Sequence, residues 1–144
     1  MKKLLLALMC LSSALFASSS TEYDKELKKY NELRHKVLNE NKETNEDVKR
    51  TYEKTHALSK ELLNIVISEY PGTADLEAKA RWAKLTEVQD QLISSNPKFK
   101  KLHEERNATY KEQGLLLRDL NQELDEQSQR LWEVKKAAQE SSDF

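Results

Sequence analysis

From Glu22 to Tyr70 the apolar positions recur as Tyr23, Leu27, Tyr30, Leu33, Val37, Val48, Tyr52, Leu58, Leu62, Ile65 and Tyr70. Their spacings are mostly three, four or seven, the period of a helix with one apolar face. Taken in strict alternating steps of four and three, the seam also passes through Arg34, Asn41, Thr44, Thr51 and Thr55. The pattern therefore predicts a helix that is amphipathic at both ends and polar in its centre. The polar run 39–47 permits two readings. In one, a single long helix carries polar layers through the run. In the other, the helix stops near Asn41 and restarts with Thr44 as its cap, Asp47 standing at capping-box spacing. Nothing in the run is a strong breaker, so continuity is the expectation.

Tyr70-Pro71-Gly72-Thr73 predicts a turn. Glycine can take the left-handed conformation past a helix end, and proline cannot continue a helix. Thr73 is expected to cap a following helix that carries Leu76, Ala80, Ala83, Val88 and Leu92 and ends near Ser94. Ser95-Asn96-Pro97 marks a second boundary, with Asn96 as cap and Pro97 in the first helical position, or else a kink in a continuing helix. A last helix is expected from about Pro97 to Gln139. Its seam starts as Phe99, Leu102, Arg106 and Tyr110 and sharpens to Leu117, Leu120, Leu124, Gln127, Leu131, Val134 and Ala138. Gly114 lies inside it, at a cost of about 1 kcal/mol relative to alanine, and marks a bend or a close helix approach.

Composition narrows the fold class. The 144 residues include only 2 Gly and 2 Pro, where an average chain would carry roughly ten and seven. Sandwiches, barrels and α/β folds spend these residues on their many turns. Gly-rich phosphate loops need several glycines close together, which are lacking.

The N-terminus reads as an export leader. Met1-Lys2-Lys3 is followed by an apolar stretch, Leu4 to Phe16, and then by Ala17, Ser18, Ser19 and Ser20. The stretch is shorter than the roughly 20 residues a membrane span needs. Residues 1–19 are expected to be removed, although cleavage after Ala17 also fits. The only cysteine, Cys10, falls in this segment. The mature chain then has no disulfide, no thiolate metal site and no cysteine nucleophile. Taking Lys2 and Lys3 from 24 basic residues leaves 22 against 25 acidic ones, a net charge of −3 without a large single-sign block. That excludes the basic stripe of a nucleic-acid binder. No later apolar run is long enough to span a membrane.

Candidate chemistry is sparse. His35, His56 and His103 stand at no metal-ligand spacing, and no His-Glu-x-x-His pattern occurs. The carboxylates are interleaved with Lys and Arg at helical spacing, as solvated faces are. No catalytic, cofactor-binding or metal-ligating residue is assigned. Trp82, beside Arg81, and Trp132, two residues after Arg130, each adjoin a seam. Large aromatics near arginine are typical anchors of protein interfaces.

Leu85-Thr86-Glu87-Val88-Gln89 resembles the Leu-Thr-x-x-Gln box of the Spy/CpxP family of periplasmic chaperones and stress sensors. The resemblance covers five residues and implies an exported, all-helical, dimeric protein that cradles unfolded clients. The second box and the Met/His-rich N-terminal segment of that family are missing. The leader, size and helical build also resemble the OmpH/Skp-like chaperones, which are usually basic and begin with a strand-forming segment. Tyr70 to Arg81 resembles the junction between tetratricopeptide-type repeats, but it occurs once.

The expected architecture is all-α: a long antiparallel helical hairpin or coiled-coil-like bundle of two to four helices, turning at Pro71-Gly72. Residues 20–140 would form a single domain and 141–144 a frayed tail. In the simplest register, 23–69 lie against 75–121, so that Leu58, Leu62 and Ile65 face Leu76, Ala80 and Ala83. A four-helix bundle broken near residue 43 is the alternative. The C-terminal seam would overhang the hairpin, and an exposed apolar stripe marks an interface. Trp82, Trp132, Leu117, Leu120, Leu124, Leu131 and Val134 are therefore the candidate protein-contact residues. The expected function is non-enzymatic: a chaperone-like or scaffold/adaptor component of the cell envelope, periplasmic or extracellular. Its expected partner is a second copy or another envelope protein. The alternatives are a helical bundle binding a small molecule or metal, and an envelope spacer.

Overall fold

A computed structural model describes the backbone of residues 2–142 and the side chains of residues 21–142. The expected leader, residues 1–19, lies outside the described side chains. Of the expected tail only Ser141 and Ser142 are described, both helical. Among the described residues the chain is all-helical: α1 (Lys2–Asn41), α2 (Glu46–Glu69), a 3₁₀ helix (Pro71–Asp75), α3 (Ala78–Ser95), α4 (Pro97–Leu120) and α5 (Gln122–Ser142). There are five α-helices rather than two to four, because the chain also breaks at Asn45 and Asn121, where neither glycine nor proline marks it.

Three asparagines make three of the four breaks. Asn45, between α1 and α2, sits in extended backbone, and its Oδ1 accepts from Val48 N at 3.2 Å. Asn96, between α3 and α4, accepts from Phe99 N at 3.0 Å. Asn121, between α4 and α5, accepts from Leu124 N at 3.2 Å. Each side chain satisfies one of the orphan N–H groups of a helix start. Each also sets the phase of the helix it opens, because the residue whose N–H it holds is fully buried: Val48, Phe99 and Leu124. The expected continuity through 39–47 is therefore overturned, and the cap is Asn45 rather than Thr44. The boundary at Asn96-Pro97 lies where the sequence placed it. Gly114 does not interrupt α4, and a Cβ added there would meet nothing within 4 Å, so no close helix approach requires it.

The link from α2 to α3 is longer than a tight tip. Tyr70 N–H closes α2 on Val66 O, and Pro71 opens the 3₁₀ helix. No glycine among the described residues has a positive φ, so Gly72 is not the left-handed stop expected of it. Thr73 is buried in the 3₁₀ helix instead of capping α3, which starts after Glu77 without a side-chain cap. Arg81 ties the link down, donating to Leu76 O and Ala74 O, both at 2.8 Å.

The chain divides into two compact units, one of residues 1–40 with 117–144 and one of residues 41–116. In the second unit Leu62 and Val66 of α2, Leu85, Val88 and Leu92 of α3, and Phe99 of α4 form one buried cluster. The expected facing residues Leu76, Ala80 and Ala83 are exposed. The register is displaced because the link uses up residues 70–77 before α3 begins. Farther from the link α2 and α4 run antiparallel. Arg50 pairs with Glu112 at 2.8 Å and Lys54 with Glu105 at 3.1 Å. Between them the buried layer is polar, made of Thr51, Thr55, Ser59, Thr109 and Gln113. Thr51, Thr55 and Thr109 donate their hydroxyls to carbonyls of their own helices, and Gln113 reaches Thr51 Oγ1 at 3.4 Å. Tyr110, expected in the seam, is 41% exposed, and Thr109 and Gln113 take the inward positions.

In the first unit α5 lies against α1. Gln127 Nε2 donates to the Glu26 carboxylate at 2.6 Å and to Glu26 O at 3.3 Å. Val37, Leu117 and Leu124 are fully buried in this unit. Part of the seam expected to overhang is thus covered by the chain's own first helix.

Candidate protein-contact site

The seven candidate contact residues divide by burial. Leu117 and Leu124 have no exposed side-chain surface, so they belong to the chain's own packing. Leu131 and Val134 are half-buried on the same face of α5. Leu120, the last residue of α4, is 46% exposed. It stands at the break before Asn121, while Leu117 and Leu124 on either side keep to the seam. Trp132 is 62% exposed, the most open large apolar residue among those described. Lys136, one turn on, holds its ammonium 5.3 Å from the Trp132 ring centroid. That is cation–π range.

Trp82 lies in the other unit, 38% exposed, near the start of α3. Leu76, at the end of the link that Arg81 holds, is open to the same degree. The sequence pointed to Trp82 but not to Leu76, which it assigned to a helix face. Leu85 and Val88 of the Leu-Thr-x-x-Gln box are buried members of the core cluster, and Thr86 bonds back to Trp82 O at 3.1 Å. The apolar residues of the box therefore serve packing.

The first unit also has a shallow open groove of about 320 Å³ between α1 and α5, lined by Lys29, Glu32, Leu33, Lys36, Glu123 and Gln127. The Glu26 carboxyl beside it is held below the usual carboxylate range, first by the bond from Gln127 and then by Lys29, whose ammonium is 3.1 Å away. The groove has no histidine.

The three histidines do not meet. His35 and His56 are exposed, His56 stacking on Tyr52 with centroids 6.3 Å apart. His103 is half-buried and stacks on Phe99 at 6.4 Å. Asn107 Nδ2 donates to its Nε2 at 3.1 Å, which a neutral ring can accept, and its Nδ1 has no partner. Burial, and next the charge of Arg106, hold its pKa below the ordinary histidine value. Among the described residues no three His, Cys, Asp or Glu side chains are grouped to hold a metal ion, and no helix is long and apolar enough to cross a membrane.

Comparison with protein-family models, with curated proteins and with solved structures returned no match.

Proposed function

We propose that the chain is an exported helical protein that works by protein–protein contact rather than catalysis, as a chaperone-like or scaffold component of a cell envelope. The observation that carries this reading is Trp132. A tryptophan buries a large apolar area when a partner covers it, and such residues dominate interface energetics. Here it stands 62% exposed on a helix whose other face is fixed by Leu124 and Gln127. A partner then gains the burial without ordering the helix first, which keeps the entropic cost of binding low. The half-buried Leu131 and Val134 beside it extend the apolar surface. In this reading the antiparallel pairs α2–α4 and α1–α5 are coiled-coil-like struts, supported by the Arg50–Glu112 and Lys54–Glu105 ion pairs and by the Gln127–Glu26 bonds. The mature chain, residues 20–144, self-associates through the α5 surface or presents it to another envelope protein.

The test is light scattering of purified residues 20–144 together with an aggregation assay on a reduced, unfolding client. A dimer or larger species and dose-dependent suppression of aggregation are expected. A strict monomer that protects no client and captures no envelope protein would overturn the reading.

A further inference from the structure

We propose that Asn107 is an acceptor for an N-linked oligosaccharide, added during or after export and before α4 folds. Of the chain's eight asparagines only Asn107 stands two residues before a hydroxyl side chain with a non-proline between, as Asn107-Ala108-Thr109. Glu105, two residues ahead of the acceptor, adds a carboxylate that a basic transferase groove can hold. The structure adds two conditions that a sequence match alone lacks. Asn107 is exposed on α4, next to the exposed Glu104, Tyr110 and Lys111, so the folded chain leaves an attached glycan in solvent. The acceptor triplet, by contrast, is closed once folded. Asn107 Nδ2 is bonded to His103 Nε2, and the buried Thr109 donates its hydroxyl to Glu105 O at 2.8 Å.

A transferase must engage the acceptor amide and the hydroxyl together, which extended backbone allows and helix α4 does not. This fixes the order, transfer first and folding second. In the transfer, Nδ2 bonds to the anomeric carbon of a polyprenyl-diphosphate-linked oligosaccharide. The bond from that carbon to the phosphate oxygen breaks, polyprenyl diphosphate leaves with the electron pair, and one amide proton passes to a base. The inference rests on the export reading, because such donors face the compartment into which chains are exported.

The test expresses the full chain, leader included, in a bacterium that carries a lipid-linked oligosaccharide and its transferase, and measures intact mass in the envelope fraction. A leaderless chain heavier by one oligosaccharide is expected, with the added mass on the peptide containing Asn107. Asn107→Gln and Thr109→Val lose it, while Thr109→Ser keeps it. Thr109→Val preserves the buried volume, and circular dichroism checks that the total helix content is retained. Phe99→Ala, which weakens the helix start ahead of the acceptor, is expected to raise occupancy at least twofold from a partial wild-type level. Occupancy that falls in Phe99→Ala overturns the order of events. A leaderless envelope chain at its unmodified mass overturns the acceptor assignment and leaves export standing. A chain held in the cytosol at full-length mass overturns the export reading and the modification with it.

Discussion

Asn45, Asn96 and Asn121 each hold an N–H three residues on, and each places a fully buried apolar residue there. Replacing Asn45 or Asn121 by alanine is expected to cost about 1 kcal/mol, read from urea unfolding curves, whereas Asn45→Asp stays within a few tenths. Asn64→Ala is the control: the residue is exposed inside α2, where alanine is the better helix former, so stability rises slightly. The cap motif, Asn followed at the third position by an apolar residue, was legible at Asn96 because Pro97 reinforced it. Asn64 has the same pattern, with Ile67 at the third position, and makes no break. The pattern alone therefore does not separate a cap from a helix interior; the tertiary fit of the residue it positions does. His103 adds a pH dependence. Its folded pKa lies below its ordinary value, so on acidification the unfolded chain takes up this proton first. The stability associated with the neutral ring is complete above the ordinary histidine pKa of about 6.5 and is lost as pH falls from there through the folded value. Urea midpoints measured at a series of pH values should fall through that window, and His103→Gln should flatten the fall.

At the scale of elements, the helical period was readable along the chain, and so was the phase at Val48, Thr51, Thr55, Leu58 and Leu62 of α2 and at Leu124 and Gln127 of α5, but not in the middle of α4. The α4 seam expected at Tyr110 passes through Thr109 and Gln113 instead. Hydropathy favours tyrosine for the interior, but the facing side chain is Thr51, and a small polar partner accommodates Gln113 better than a phenol ring. Strict seam arithmetic did include Thr51 and Thr55, and these are buried. Such polar layers are weaker than apolar ones, yet an unpaired buried group is costly, which favours one alignment of the helices over its neighbours. Thr51→Val removes the hydroxyl acceptor that Gln113 Nε2 reaches and is expected to lower stability by about 1 kcal/mol. Adding Gln113→Leu should recover that loss and more, because an apolar pair replaces a long, weak bond. A double-mutant cycle by chemical denaturation checks the coupling, which should exceed about 0.5 kcal/mol. If the two effects simply add, the layer does not set the alignment.

At the scale of the molecule, the sequence led from an uncovered C-terminal stripe to a contact surface, and the structure divides that stripe between two roles. Leu124 is fully buried in the unit that α5 shares with α1, and Trp132, two turns later, is the most exposed large apolar side chain described. Trp132 lies off the face of α5 that carries Leu124, Leu131 and Val134, and the Glu26–Gln127 bonds that set α1 against α5 are not encoded in any local pattern. The two residues therefore respond differently to truncation. Leu124→Ala opens a cavity and should cost about 2–5 kcal/mol, and client protection should fall only as far as the folded fraction does. Trp132→Ser removes an exposed ring from a helix held elsewhere, so its unfolding free energy should stay within about 0.5 kcal/mol of the parent. Under the contact reading the same change should abolish client protection and shift the oligomer toward monomer in light scattering. Stability and binding measured on the two variants thus separate packing from contact. If Trp132→Ser protects clients as well as the parent chain does, the α5 surface is not where partners dock.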